Sequence, residues 1–598
     1  MHRARSRLVL TLALAVGLPA AATAQVSFTE RGGTVLNGID LRSRSASLAD
    51  YDRDGDLDVL FQGQTGARQL LRNNFVENGE LTFTSVTSAS NINSGVGDSW
   101  SAAWGDYDGD GYVDVFIGQT NSGGSGDVLR NNGGVDFTNT SLLVGLNDPG
   151  FHQNVAWIDI DNDRDLDLII GMEGPEKHQI YLQGADGSFT QAGAAAGFQE
   201  AYGTKSYGMA MGDTDGDGDI DIYISTCISG GNIRNNFYEN QLAQTGTLSF
   251  IDIADSNGTQ NLDNSYHSEF VDFDNDGLLD LLMVGADQTP TRIFRNIGGN
   301  QFTDVADILG HDLISDTGGD LNGGRAIDYD NDGDLDLYMH DNLTINGANP
   351  SDQGRKLYRN DGNWVFTDVT TASGLATTNQ GAYDSTWGDL DLDGDQDLIA
   401  PTRYGIDENV FLSNASENGN HWLYLRLDGT RDNTTAIGAT VYATITLGNS
   451  EVLTLRREAN TNAGTFNQSD VPVHFGLGDA EQIDELRIVW PDGTTQILHG
   501  VAVDQVDMRV AFPGDFNGDR VVDGDDLAEW QADFGYTAGS DVDRDGDSDG
   551  ADFLAWQRTV GAGATAATIA GEPVPEPTSA ALLLATVAAL MVRARRTR

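Results

Sequence analysis

The sequence predicts a mainly β protein: a seven-bladed β-propeller, then a small β-rich module, then a small helical pair built on two acidic loops. Three observations carry this. Short apolar runs separated by glycines fill most of the 598 residues, a nine-residue aspartate pattern recurs seven times before residue 400, and a twelve-residue acidic loop is duplicated near the C-terminus. A chain of this length exceeds one core, so several domains are expected.

Composition narrows the function classes. The chain has 73 glycines and 12 prolines at 39% hydrophobic residues, which suits many short strands joined by turns. Against 34 Lys and Arg stand 91 Asp and Glu, a formal net charge of -57 that opposes binding of nucleic acid or an anionic membrane. So many carboxylates call for water or cations. The single cysteine, Cys227, excludes an intrachain disulfide and reads as a small buried apolar side chain.

At the N-terminus, His2, Arg3, Arg5 and Arg7 precede the apolar stretch Leu8 to Leu18, and Ala22-Thr23-Ala24 precedes Gln25. This is the layout of a secretory signal peptide over residues 1–24, so the mature chain is expected outside the cytoplasm.

The repeat D-x-D-x-D-x-x-x-D begins at Asp50, Asp106, Asp159, Asp213, Asp272, Asp328 and Asp389, with successive spacings of 56, 53, 54, 59, 56 and 61 residues. That is the length of a four-stranded blade with generous loops. Positions 1, 3 and 5 converge when a glycine at position 6 turns the chain, and position 9 closes the cage. Oxygen-only ligands on a flexible loop favour Ca²⁺. The expected ligands are Asp50, Asp52, Asp54 and Asp58; Asp106, Asp108, Asp110 and Asp114; Asp159, Asp161, Asp163 and Asp167; Asp213, Asp215, Asp217 and Asp221; Asp272, Asp274, Asp276 and Asp280; Asp328, Asp330, Asp332 and Asp336; and Asp389, Asp391, Asp393 and Asp397. In the second loop Gly111 makes the turn and the Tyr112 carbonyl is a fifth ligand. Arg164 replaces the turn glycine in the third loop, where positive φ strains a side chain, so that site is expected to be the weakest.

Each loop lies between strand-like runs, and a later strand ends in asparagine, as in Leu129-Arg130-Asn131 and Tyr358-Arg359-Asn360. Phe28, Phe83, Phe137, Phe189, Phe250, Phe302 and Phe366 mark a last strand 22 to 26 residues before each loop, and none follows the seventh loop. The strand near Ser27 to Glu30 is therefore expected to complete the seventh blade and close the ring. Residues 25–415 resemble the FG-GAP or VCBS repeats of integrin α-subunit heads and related bacterial propellers. The resemblance implies Ca²⁺ in the loops between the first two strands of each blade.

Residues 418–512 read as a separate β module. Asn420 to Leu427 and Ile437 to Thr446 alternate like strands, followed by His474-Phe475-Gly476-Leu477-Gly478 and Trp490-Pro491-Asp492-Gly493. These motifs resemble the ASPIC/UnbV module of cartilage acidic protein and bacterial proteins, which implies architecture and no established chemistry. His421, Arg431 and His474 have no nucleophile beside them in a recognisable catalytic spacing.

Residues 513–562 hold the duplicate. Asp515, Asn517, Asp519, Asp523 and Asp526 occupy positions 1, 3, 5, 9 and 12 of an EF-hand-type Ca²⁺ loop, and Asp541, Asp543, Asp545, Asp549 and Asp552 repeat that spacing. The pair resembles a dockerin, which implies a cohesin-like partner. The hydroxyl pair that reads cohesin in cellulosomal dockerins is replaced by Gly524-Asp525 and Gly550-Ala551. After a linker at 563–573, residues 574–598 place Val574-Pro575-Glu576-Pro577 before an uncharged stretch and Arg593, Arg595, Arg596 and Arg598. This resembles a PEP-CTERM sorting signal and implies a sorting transpeptidase as partner; the alternative is a retained C-terminal anchor.

The functional expectation is a secreted or envelope-associated calcium-binding adhesion or ligand-binding protein without catalysis, its ligand a glycan or an extracellular protein. Propellers bind at the mouth where the innermost strands begin, which places Arg44, Trp100, His152, Tyr207, His267 and Tyr383 at one rim. The alternative is a carbohydrate-active enzyme, a lyase or hydrolase, with His152, His267 and Asp384 as its acid/base candidates.

Overall fold

The computed structural model describes residues 28–562 except 37–42, 64–67, 94–97, 121–123, 147–148, 174–177, 199–205, 228–233, 287–288, 306–320, 342–354, 376–381, 383, 402–408, 416–417, 461–467, 470–471, 536–538 and 543–547. The signal peptide, linker and sorting signal lie outside the described residues, as do Tyr383, Asp543 and Asp545.

The protein is mainly β, a propeller-like repeat of four-stranded sheets. In the first sheet Ser43–Ala49, Asp58–Gly63, Gln69–Asn73 and Phe83–Ser85 pair antiparallel in chain order. Five more sheets repeat that order, beginning at Ser99–Gly105, Phe151–Ile158, Ser206–Gly212, Ser265–Val271 and Leu321–Ile327. A seventh contains Thr386–Gly388, Asp397–Ala400 and Val410–Ser413, and its fourth strand is Thr29–Glu30, with Thr29 opposite Ser413 and Glu30 opposite Leu412. Phe28 packs on Trp387 at 6.0 Å between ring centroids, as Phe137 packs on Trp104 in the second sheet. The first strands of neighbouring sheets lie side by side, Ser43–Ala49 touching both Ser99–Gly105 and Thr386–Gly388.

Sheets covered on both faces need apolar side chains at successive positions. The second strands show this: Val59, Leu60 and Phe61, like Leu168, Ile169 and Ile170, are fully buried. Cys227 is buried.

A side-chain amide at the end of each third strand, asparagine in six sheets and Gln183 in the third, ties neighbouring sheets together. Asn131 Nδ2 donates to the Val113 carbonyl of its own sheet (3.0 Å) and to the Tyr51 carbonyl of the sheet before (2.9 Å). The same backward bond runs from Gln183 to Tyr107, Asn240 to Ile160, Asn296 to Thr214, Asn360 to Phe273 and Asn414 to Tyr329. Asn73 of the first sheet donates to Leu390 of the seventh (2.9 Å). Seven side-chain amides thus form one cyclic series across buried carbonyls that would otherwise be left unpaired.

Residues 421–511 form two packed sheets. Val473–Gly478 pairs antiparallel with His421–Asp428, which pairs parallel with Gln505–Ala511. Val452–Glu458, Thr440–Thr446, Gln482–Val489 and Thr495–Ala502 make the other. Their core includes Leu425, Val441, Phe475, Leu486 and Trp490, and it is shared with Val522, Trp556 and Ala562 of the helical pair. The two helices, Gly524–Asp533 and Gly550–Thr559, each start with a reciprocal capping box, Asp523 with Asp526 and Asp549 with Asp552. Each helix also ties down the other: Trp530 donates to the Asp549 carbonyl and Trp556 to that of Asp523. Among the described residues no helix is long and apolar enough to cross a membrane.

Candidate metal centres and the module that covers them

The aspartate loops share one internal design. In the second, Asp106 accepts the amides of Asp110 (3.2 Å) and Gly111 (2.7 Å), and Asp110 accepts that of Tyr112 (3.0 Å). Asp114, at the start of the second strand, accepts the amides of Tyr107 (3.1 Å) and Asn131 (2.7 Å). The path needs left-handed backbone at positions 4 and 6, seen at Gly109 (φ 69°) and Gly111 (φ 95°). Arg164 adopts it too, at φ 86°, and its amide still reaches Asp159 at 2.9 Å.

This geometry aims carboxylates at a common point. In the first three loops, oxygens of positions 1, 3 and 9 lie within 4.8 Å of one another: Asp50, Asp52 and Asp58; Asp106, Asp108 and Asp114; Asp159, Asp161 and Asp167. In the fourth, Asp213, Asp215 and Asp217 do so. Oδ1 of Asp52, Asp161, Asp274, Asp330 and Asp391, all at position 3, is buried with no hydrogen-bond partner. Buried anionic oxygens are costly unless something charged satisfies them. Desolvation, reinforced by neighbouring carboxylates, pushes Asp114, Asp167, Asp336 and Asp397 well above the usual range, Asp280 up to about 8, and Asp159 up to about 7. The donor chemistry fits a hard divalent cation held through oxygen, as Ca²⁺ is. In the helical pair, Asp515 accepts the amides of Asp519 (3.1 Å) and Arg520 (2.8 Å), and Asp526 those of Phe516, Asn517 and Asp523. Asp541, Asp549 and Asp552 are described in the second copy.

The β module sits on the ends of all seven loops, which the sequence reading did not anticipate. Arg426 bonds the Gly55 carbonyl (3.2 Å) and pairs with Asp50 (3.2 Å), while Thr434 donates to Asp106 (2.5 Å). Arg164 reaches out to Asp492 at 3.6 Å. Arg456 bridges the Asp213 (3.1 Å) and Gly277 (3.0 Å) carbonyls, and Arg457 takes that of Gly333 (3.3 Å). His474 Nε2 lies 3.1 Å from the Gly394 carbonyl, and burial lowers its pKa to about 4, so it donates there as a neutral ring. Guanidiniums suit these positions because the carbonyls and carboxylates at the loop turns are acceptors only. His421 pairs instead with Asp504 at 2.8 Å.

The expected rim divides. Each of the first six sheets has a register shift near the start of its first strand, as between Ser43 and Ser45 and between Ser265 and His267. The shift leaves Arg44, Trp100 and Tyr207 half-buried, with Arg44 over the Trp100 ring at 3.8 Å and Tyr207 against Tyr266 at 4.7 Å. His152 and His267, expected beside them, are instead 0% and 2% exposed. The first accepts the Gln119 amide at 2.9 Å, and the second lies 3.7 Å from Glu269. Asp384 is buried as well. Tyr266 holds the half-buried position that the reading assigned to its neighbour.

The FG-GAP-like repeat family matches residues 50–117, 106–170, 165–224 and 272–339, and the ASPIC and UnbV family matches residues 429–510. The chain carries FG-GAP-like repeats and an ASPIC/UnbV domain. Cartilage acidic protein 1 of Mus musculus is 24% identical over 499 residues, covering 78% of this chain and 74% of the relative. That of Homo sapiens is 23% identical over 501 residues, covering 78% and 72%. Alignments of that length run through both the FG-GAP-like repeats and the ASPIC/UnbV domain. Two solved structures align at low scores: BBS1N in complex with ARL6DN (TM-score 0.38, 9% identity, 66% of this chain and 97% of that one) and SapL1 lectin in complex with alpha methyl fucoside (0.33, 12%, 56% and 98%).

Proposed function

We propose that this chain is a secreted or envelope-associated seven-bladed β-propeller that carries Ca²⁺ in its seven loops and binds an extracellular glycan or protein without catalysing a reaction. The observation that carries the calcium reading is the partnerless, buried position-3 oxygen in five of the loops. The cyclic asparagine series and the Thr29–Glu30 pairing support seven blades. The dockerin-like pair holds two further ions by the same oxygen chemistry, with a cohesin-like protein as its partner, and a transpeptidase acts on the sorting signal. Kinship with cartilage acidic protein 1 supports a role outside the cell.

Since the ASPIC/UnbV domain covers the loop end, the ligand approaches the other rim, where Arg44, Trp100, Tyr207 and Tyr266 offer stacking and cation–π surfaces. The test of the scaffold is mass spectrometry under native conditions after equilibration in millimolar calcium. About nine Ca²⁺ per chain are expected from the loop count; two or fewer would overturn the reading.

A further inference from the structure

We propose that a cavity between the first two loops, the ASPIC/UnbV domain and the first loop of the helical pair binds one oxyanion group, a sulfate or a carboxylate. The cavity measures about 100 Å³ and is lined by Arg53, Arg426, Arg509 and Arg520, with Thr435 among its polar groups. One water needs about 10–15 Å³ of such space, so the cavity accommodates a polyatomic anion. Four of the chain's 34 basic residues converge there although the net charge is -57.

Two of these arginines are engaged inside the protein: Arg426 pairs with Asp50 at 3.2 Å and with Asp507 at 2.9 Å, and Arg509 with Asp507 at 3.1 Å and with Asp428 at 3.8 Å, so the donors left for a ligand are Arg53 and Arg520. Among the described residues, neither Arg53 nor Arg520 has a carboxylate within 4.0 Å. Both guanidiniums converge over Gly111, where a Cβ would collide with Nη1 of each. Two like charges sharing one wall favour an anion between them. The hydroxyl of Thr435 is buried without a hydrogen-bond partner. Forked guanidiniums and a hydroxyl are the donor set that planar or tetrahedral oxyanions take.

The backbone gives a separate indication. Arg53 stands at φ 62° and Arg520 at φ 68°, both left-handed. Arg520 occupies position 6 of its loop, where glycine is the unstrained choice, and Arg53 occupies position 4, held elsewhere by Gly109, Asn162, Gly216, Asn275, Asn331 and Leu392. Long cationic side chains at strained positions point to a use.

The test is equilibrium dialysis of the calcium-loaded full chain against radiolabelled sulfate at constant ionic strength. One sulfate per chain should bind saturably, and Arg520→Gly and Arg53→Asn should each weaken it at least tenfold. Arg520→Gly should melt no lower than the parent, because glycine relieves the left-handed strain, so lost binding would not reflect unfolding. Glucose 6-sulfate and glucuronate identify the source: displacement by either places the group on a sugar, and displacement by phosphate alone assigns a free ion. An absence of saturable binding, or unchanged binding in both variants, overturns the proposal.

Discussion

Residue types with one physical use were the legible part of this chain. Aspartates at fixed spacing and glycines at the left-handed turn have few other roles, and the structure gathers three of the four expected carboxylates in each of the first four loops, while Asp54 lies with Asp56 and Glu77 instead. Arg164 was readable as strained, and at φ 86° it is, but its reach to Asp492 joins segments over 300 residues apart and left no local signal. The rim was less legible because a register shift moves neighbouring side chains between faces, so a half-buried Tyr266 stands beside a buried His267. Asp110→Ala should lower the calcium-dependent melting temperature more than Asp163→Ala, since the third loop already carries Arg164; equal losses would refute that ranking. Asn131→Ala should leave the Tyr51 and Val113 carbonyls short of a donor, at about 1–3 kcal/mol for each buried group left unpaired. Denaturant melts of the calcium-loaded protein measure that loss, and a change below about 0.5 kcal/mol would show that the amide ties matter little.

At the scale of elements, the loops and the ASPIC/UnbV domain form one polar layer. Strand alternation in residues 420–500 announced a β module, yet nothing in it announced which surface it covers, because Arg426, Arg456, Arg457 and His474 act on carbonyls 80 to 371 residues away. Without a bound cation the layer has a pH signature. Burial raises the loop carboxyls, Asp106 to about 6, Asp159 to about 7 and Asp280 to about 8, against about 3.9 in an unfolded chain. The ion-free fold therefore holds protons that the unfolded chain has released, so its stability is greatest near pH 4 and falls as pH rises through 6 to 8. Protein stripped of calcium and desalted should melt progressively lower between pH 5 and pH 8. Calcium-loaded protein should change much less over that range, because the cation replaces the protons. A stripped protein whose melting point rises with pH would contradict the picture of mutually repelling buried carboxyls.

For the molecule as a whole, closure and charge are the same problem. The seventh sheet is completed by two residues from the other end of the repeat array, and the asparagine series returns from the first sheet to the seventh, so no sheet is independent of its neighbours. The count of phenylalanines made this closure legible in advance, because one final strand lacked a loop behind it and one loop lacked a final strand. Into this ring are set 28 loop aspartates in a chain of net charge -57. On the proposed reading each Ca²⁺ neutralises part of a cluster and adds about 2.7 kcal/mol at one hundred times its Kd, and several sites together match a typical total stability of about 5 to 15 kcal/mol. On the proposed calcium reading, stripping the ions should thus weaken every sheet junction and the ASPIC/UnbV contact together, since Arg426, Thr434, Arg456 and Arg457 grip the aspartate loops. The expected outcome in chelator is a large drop in melting temperature, with protease cuts appearing in both the repeats and the ASPIC/UnbV domain, and restoration of both on adding calcium back. Cuts confined to one of the two would mean that they are uncoupled, and an unchanged melting curve would mean that the ring stands without its ions.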